Sequence, residues 1–236
     1  WAAADGLGLL KRRLGANTAI TGSAYGESLQ FGPVTVSLHP AGHILGSAQV
    51  RVEHAGEVWV ASGDYKRDPD PTCTPFEVIP CDTFITEATF ALPVYRWPSV
   101  ETVAADIHRW WQTNAQSKCT SVLFSYALGK AQRLLAALPQ PHPGPIYLHG
   151  AVAPLTEDYR NAGINLPATR IISEAPADED YATSLVIAPP SAGGSSWMAR
   201  FRRPSTGFAS GWMRIRGNRR RRGYDRGFVI SDHVDW

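Results

Sequence analysis

The chain has 236 residues, 44% hydrophobic and 19% charged, which is long enough to bury a core and too apolar for whole-chain disorder. No apolar run approaches the ~18 residues that a membrane helix needs. The net charge of +2 conceals an asymmetry: ten arginines between Arg200 and Arg226 face one acid, Asp225, so that window carries +9 and the rest −7. Such a stretch suits contact with a polyanion such as a nucleic-acid backbone; the alternative is a solvated turn between two strands. Cys73, Cys81 and Cys119 form no CxxC and cannot all pair, so a disulfide framework is not expected and a reducing cytoplasm is.

In chain order, residues 1–15 are predicted helical from the spacing of Leu7, Leu9, Leu10 and Leu14. Short strands follow over 28–31, 34–38, 48–53 and 58–62, separated by glycine-containing turns as a meander requires, and Thr83-Phe84-Ile85-Thr86 is another strand. Ser99 is placed to cap a helix running through Val103, Ile107, Trp110 and Trp111. Strand 120–124, a helix opened by Gly129 and strand 146–148 then alternate, and this alternation predicts a parallel sheet. Residues 139–145 and 174–180 read as loops. A last block begins with strand 185–188 and ends in two strands around Arg219–Arg222, followed by His233.

The candidate chemistry sits at strand ends. His43 lies in a glycine-rich turn after strand 34–38, Asp64 and Glu87 follow strands 58–62 and 83–86, and His233 follows Phe228-Val229-Ile230. Histidines and carboxylates at the ends of buried strands are how a sheet edge assembles a metal site from distant sequence. Gly129-Lys130, at a strand-to-helix turn, offers backbone N–H groups and a cation to a phosphate, or is an ordinary βα turn. His39, His54, His108 and His142 are not assigned to the site.

Pro40-Ala41-Gly42-His43-Ile44-Leu45-Gly46-Ser47-Ala48 followed by Ser62-Gly63-Asp64 resembles the third and fourth metal motifs of metallo-β-lactamase-fold nucleases of the β-CASP group. Thr86-Glu87-Ala88-Thr89 is similar to the group's acidic motif, Ser125–Lys130 to the strand-to-helix turn of its DNA-repair branch, and Ser231-Asp232-His233 to its late histidine motif. In texture, including Ser210-Gly211-Trp212-Met213 and Arg219–Arg222, the chain is most similar to the bacterial DNA-ligase-associated exonuclease subfamily.

The resemblance implies an α/β fold, a metallo-β-lactamase αββα sandwich with an inserted β-CASP-like α/β domain. The first domain would occupy 1–96, the insertion 97–182, and the return to the first domain 183–236. It implies two zinc ions, with His43 on the first, Asp64 bridging both, His233 on the second, and Glu87 supporting the ligands. Gly129, Lys130, Arg214, Arg216, Arg219, Arg220, Arg221 and Arg222 would contact phosphate. The implied function is DNA exonuclease action on ends in ligase-linked repair, with DNA as substrate and an ATP-dependent DNA ligase as partner. An RNA 3′-end-processing nuclease is the alternative in the same chemistry, and a non-catalytic binding module using Arg200–Arg226 is the alternative of another class. The family's His-x-His-x-Asp-His cluster is absent from residues 1–236, so the chain is expected to be a fragment cut at both ends, with that cluster upstream of Trp1. Met213 stands where a further histidine would lie, so the sequence assigns no general acid.

Overall fold

A computed structural model describes residues 1–215 and 223–236. The chain is mixed α/β and divides into two compact units, Trp1–Pro93 with Asp232–Trp236, and Val94–Ser231.

The first unit opens with strand β1 (Ala2–Ala3), a 3₁₀ turn and helix α1 (Leu7–Leu14); β1 pairs in parallel with β2 (Gly22–Ser23). Its main sheet has five strands in sequence order: β3 (Leu29–Phe31), β4 (Val34–Pro40), β5 (Ala48–His54), β6 (Glu57–Ala61) and β7 (Thr83–Ile85). The first four form the expected antiparallel meander, while β7 adds to β6 in parallel. Between β5 and β6 the two-residue turn Ala55-Gly56 has φ of 51° and 84°, the double positive φ of a hairpin turn whose twist matches its strands. The first helix is shorter than the sequence suggests because residues 2–3 pair with Gly22-Ser23.

The second unit is built on a six-stranded sheet, all parallel. Its order is β10 (Arg170–Ile171), β9 (Ile146–Leu148), β11 (Leu185–Ala188), β8 (Ser121–Phe124), β12 (Ser205–Ala209) and β13 (Arg226–Phe228). Strands β8, β9 and β11 are buried at every residue, as expected of parallel strands covered on both faces. Three helices accompany them: α2 (Val100–Gln116), α3 (Lys130–Ala137) and α4 (Ala153–Asn161). Ser99 caps α2 by accepting from the Thr102 N–H. The helix buries Val103, Ala104, Ile107, Trp110 and Trp111, and the two indoles donate to Ser205 Oγ (3.0 Å) and the Thr183 carbonyl (2.9 Å).

Two sequence expectations change here. The return to the first unit, expected at Thr183, comes at Asp232. The reason is pairing: β11 lies between β8 and β9, β12 lies beside β8 and β13 beside β12, so these three strands are committed to the second unit's sheet. Where the sequence suggests a turn between two strands around Arg219–Arg222, the strands before and after that stretch, β12 and β13, pair in parallel. Arg216 and Arg219–Arg222 themselves lie outside the described residues. Helix α4 had no sequence expectation; its buried positions, Ala153, Thr156 and Tyr159, give only a thin stripe, although Pro154 in its first turn is a start signal.

Trp111 is fully buried. Trp111→Ala should lower stability by ~3–5 kcal/mol through lost burial and the cavity left behind. Trp111→Phe, which loses the bond to Thr183 and less volume, should cost less. Urea unfolding of both variants checks this, and an unchanged midpoint for the alanine variant would contradict it.

Candidate metal centre

Four segments of the first unit converge on one site. The turn between β4 and β5 carries His43 and is held by Ser47, whose Oγ accepts from the N–H groups of His43 and Ile44, both at 3.1 Å. Gly42 and Gly46 have φ of +69° and +74°. A Cβ on Gly42 would collide with the Lys66 carbonyl, and one on Gly46 with the Gly6 backbone, so both positions need glycine for conformation and for close approach.

Backbone hydrogen bonds then draw the segments together. The Lys66 N–H donates to the Ala41 carbonyl (3.0 Å), joining the His43 turn to the Asp64 loop. The Ser62 N–H donates to the Ile85 carbonyl (2.9 Å), joining that loop to the end of β7, where Glu87 follows. The Val234 N–H donates to the Tyr65 carbonyl (2.7 Å), which docks the His233 segment on the same loop.

Each imidazole is oriented through Nδ1. His43 Nδ1 lies 2.8 Å from the Asp232 carbonyl, which can only accept, so Nδ1 carries the proton. Its Nε2 faces Asp64 Oδ2 at 3.8 Å. His233 Nδ1 donates to both oxygens of Glu87, at 2.9 and 3.1 Å, and stands 4.0 Å from Asp64 Oδ1. Glu87 Oε1 also accepts the Tyr65 N–H at 3.1 Å. The Glu87 side chain is 7% exposed, that of Asp64 54%. The rings of His43 and His233 are 4.8 Å apart between centroids.

Burial works against charge on both partners of the inner pair, yet mutual attraction prevails. For His233, burial disfavours the imidazolium, but the hydrogen bond it donates to Glu87, with the charges of Asp232, Glu87 and Asp64, raises its pKa above the ordinary value. For Glu87, burial favours the neutral acid, but hydrogen bonds with His233, Thr89 and the Tyr65 N–H lower its pKa.

The donor set fits a divalent metal ion. His43, Asp232 and His233 bring one ligand atom each within 4.8 Å of one another, and so do Asp64, Glu87 and His233. Imidazole nitrogens and carboxylates are ordinary zinc donors, and an imidazole whose Nδ1 is held by a carbonyl or carboxylate is the usual outer support of such a ligand. Sequence reasoning missed two contributors, the Asp232 carbonyl and the Tyr65 N–H. Backbone groups leave no composition signal, although adjacency to His233 and Asp64 pointed to their neighbourhood.

Other residues lie elsewhere. His39 is held between Ser37 Oγ (3.0 Å) and Glu77 (3.0 Å). Gly129 and Lys130 belong to the second unit, where Gly129 adopts φ 78° before α3. Lys130 is only 2% exposed, with its ammonium 4.5 Å from the Tyr126 ring centroid, so it is not the solvent-facing cation expected of a phosphate contact. Arg214 is exposed and donates through Nε to the Val94 carbonyl (3.1 Å). Met213 is fully buried in the second unit's core.

Known proteins resemble the chain as a whole. No family model matches the chain. A protein named probable DNA ligase from Opitutus terrae is 33% identical over 238 residues, covering 97% of this chain and 22% of that protein. Cleavage and polyadenylation specificity factor subunit 3 of Dictyostelium discoideum is 30% identical over 158 residues, 62% of this chain and 20% of its own length. The chain thus spans about a fifth of these curated relatives. The fold is similar to that of a crystallised Enterococcus faecalis protein of unknown function, with a TM-score of 0.57 at 11% identity over 93% of this chain and 57% of that one. No helix among the described residues is long and apolar enough to cross a membrane.

The Glu87–His233 pair fixes how stability varies with pH in chelator-treated protein. The raised His233 pKa stabilises the fold below the ordinary imidazole value of 6.5, and that gain is lost as pH rises through the raised value. The lowered Glu87 pKa stabilises above 4.5, and that gain is lost as pH falls through the lowered value. The stability gap between wild type and Glu87→Gln should therefore be widest between pH 4.5 and 6.5 and narrow on either side. Urea unfolding across a pH series checks this; a gap independent of pH would contradict the pairing.

Proposed function

We propose that this chain, which belongs to the β-CASP group of metallo-β-lactamase-fold nucleases, forms part of a metal-dependent nuclease that hydrolyses phosphodiester bonds. The observation that carries this reading is the convergence of His43, Asp64, Glu87 and His233 from four segments, with Nδ1 of each imidazole held by a protein acceptor. In this reading the first unit is part of an αββα sandwich and the second is the β-CASP-like insertion.

His43, through Nε2, and Asp64 would hold the metal, for which we propose zinc, as two ions, with the remaining donors supplied by sequence outside residues 1–236. Zinc, when bound, acts as a Lewis acid toward a phosphoryl oxygen. The chain's own residues do the rest. Asp64, half exposed, is the carboxylate that would be open to the metal, Asp232 fixes the His43 ring, and Glu87 fixes the His233 ring.

For His233 a specific observation supports a second reading beside that of metal ligand. The nitrogen that approaches Asp64 is already engaged by Glu87, and this pairing favours the protonated ring. A metal ligand must be neutral, whereas a protonated imidazole can hand a proton to a departing oxygen. His233 is therefore also our candidate for proton donor.

The substrate we propose is DNA, processed at its ends in company with a ligase. Support for this is that 97% of the chain aligns within a relative named as a probable DNA ligase. The RNA alternative draws on the similarity to the polyadenylation factor subunit. The arginines of the 200–226 window, with Arg216 and Arg219–Arg222 among them, would supply backbone contacts.

The test compares residues 1–236 with a polypeptide that also carries a His-x-His-x-Asp-His cluster. The short chain should bind zinc poorly and cleave nothing: with Asp232 and Glu87 spent on holding the imidazoles, His43, Asp64 and His233 would be shared between two ions, and a zinc needs at least three protein ligands and a water. The longer one should bind zinc and cleave a labelled DNA end with chelator sensitivity, and Asp64→Ala should abolish its turnover while leaving DNA affinity within about threefold, because phosphate contacts carry most of the binding. Chelator-sensitive cleavage by the short chain, or near wild-type turnover by the variant, would overturn the assignment. DNA binding without cleavage would return the chain to a binding module, and competition between DNA and RNA oligonucleotides decides the substrate.

A further inference from the structure

The parallel sheet of the second unit has two ends. The carboxyl end carries Ser125–Lys130, which the family resemblance points to; the amino end gathers three arginines of the 200–226 window into a cavity to which the function above gives no separate role. There, the segments leading into three adjacent strands, β11, β8 and β12, enclose a cavity of about 610 Å³. Lys118, Thr120, Tyr181, Arg200, Arg202 and Arg203 line it. We infer that this cavity is a phosphate-backbone site for single-stranded nucleic acid, holding a part of the strand away from the reacting bond; the inference rests on the nuclease reading above.

Charge is the first argument. Four cations line the cavity, and of its two acids Glu179 is engaged by Arg170 (3.7 Å) and the Tyr147 hydroxyl, while Asp180 accepts from the Ala182 N–H (2.9 Å). Among the described residues no ion pair engages Lys118, Arg202 or Arg203, and all three are exposed. Arg200 is fixed by its Nε–H bond to the Trp197 carbonyl (3.0 Å) and by stacking 5.3 Å from that indole's centroid. A groove that combines fixed and adaptable cations is the usual way a protein follows a single strand without reading its sequence.

Backbone conformation is the second. Helix α2 ends with the Cys119 N–H on the Asn114 carbonyl (2.9 Å) and the Lys118 N–H on the Ala115 carbonyl (3.1 Å). This is the helix ending that places its next residue in the left-handed region, normally a glycine. Lys118 occupies it, with φ of 52°. Arg203 is also left-handed, with φ of 49°, and its carbonyl accepts from Cys119 Sγ at 2.9 Å, which ties the two cationic segments together. Two positions that favour glycine are occupied by long cations at the rim of one cavity. The backbone at both positions carries the strain of a non-glycine residue, and both strained positions present a long cation to the same cavity.

The arrangement separates stability from binding. In Lys118→Gly/Arg202→Ser/Arg203→Gly the backbone is relieved, so thermal stability should stay the same or rise. Binding of labelled oligothymidylate, measured by anisotropy in chelator so that hydrolysis plays no part, should weaken. Its log–log salt slope should fall by about 2, from about 0.7 per phosphate contact on a single strand. Lys11→Ser/Arg12→Ser/Arg13→Ser on α1 removes the same charge elsewhere and should leave the slope within 0.5 unit of wild type, roughly the resolution set by one contact. An unchanged slope in the cavity variant, or an equal fall in both variants, overturns the inference and leaves the nuclease reading standing. Loss of binding to phosphatidylserine vesicles with oligothymidylate binding intact assigns the cavity to a membrane surface and also overturns it. Failure of the wild-type chain to bind oligothymidylate at all overturns the nuclease reading, and the inference with it.

Discussion

The hydrogen bond from His233 Nδ1 to the Glu87 carboxylate is the contact on which the site depends. It joins residues 146 positions apart, and the whole second unit is the excursion between them. Closing so long a loop costs entropy that one hydrogen bond cannot offset. The bond is supported by the Val234 N–H on the Tyr65 carbonyl, the Tyr65 N–H on Glu87 and the Asp232 carbonyl on His43. Three consecutive residues of the returning segment are thus each engaged with the loops after β4 and β6 or with the end of β7. The pair is also charge-coupled, each partner shifting the other toward its ionised form against the effect of burial.

From this contact the orientation of the site follows. A carbonyl acceptor sets the His43 tautomer and a carboxylate holds the His233 ring, so both rings are committed through Nδ1 before any ligand arrives. Asp64 contrasts with Glu87: one carboxylate is half exposed, the other enclosed. Two acids in one site thereby take different roles, one available to cations or substrate and one spent on positioning. The glycines of the His43 turn serve the same end, since Gly42 and Gly46 let the turn lie against Lys66 and Gly6.

Much of this was legible in the sequence, for identifiable reasons. The meander from Leu29 to Ala61 shows in its alternation and its turns, and α2 in Ser99 and its apolar stripe. His43, Asp64, Glu87 and His233 were legible because strand ends and glycine turns mark where side chains meet. The boundary of the second unit was not. Leu185–Ala188 is an apolar run of a kind either sheet could accept, and only its pairing with β8 and β9 decides its unit. The same holds for β12 and β13, whose parallel pairing no local pattern shows. The burial of Lys130 was not legible either, because sequence does not show that a cation after a βα turn is drawn in over Tyr126.

Nitrogen-15 NMR of the imidazole rings, before and after zinc is added to the polypeptide that includes the further metal cluster, tests the central claim most directly. Protons should be found on Nδ1 of both His43 and His233 without metal and should persist with it, while the His43 Nε2 resonance moves to the metal-bound range. Zinc-dependent loss of either Nδ1 proton, or metal at His43 Nδ1, would contradict the account, because the contacts from Asp232 and Glu87 would then not be what orients the site.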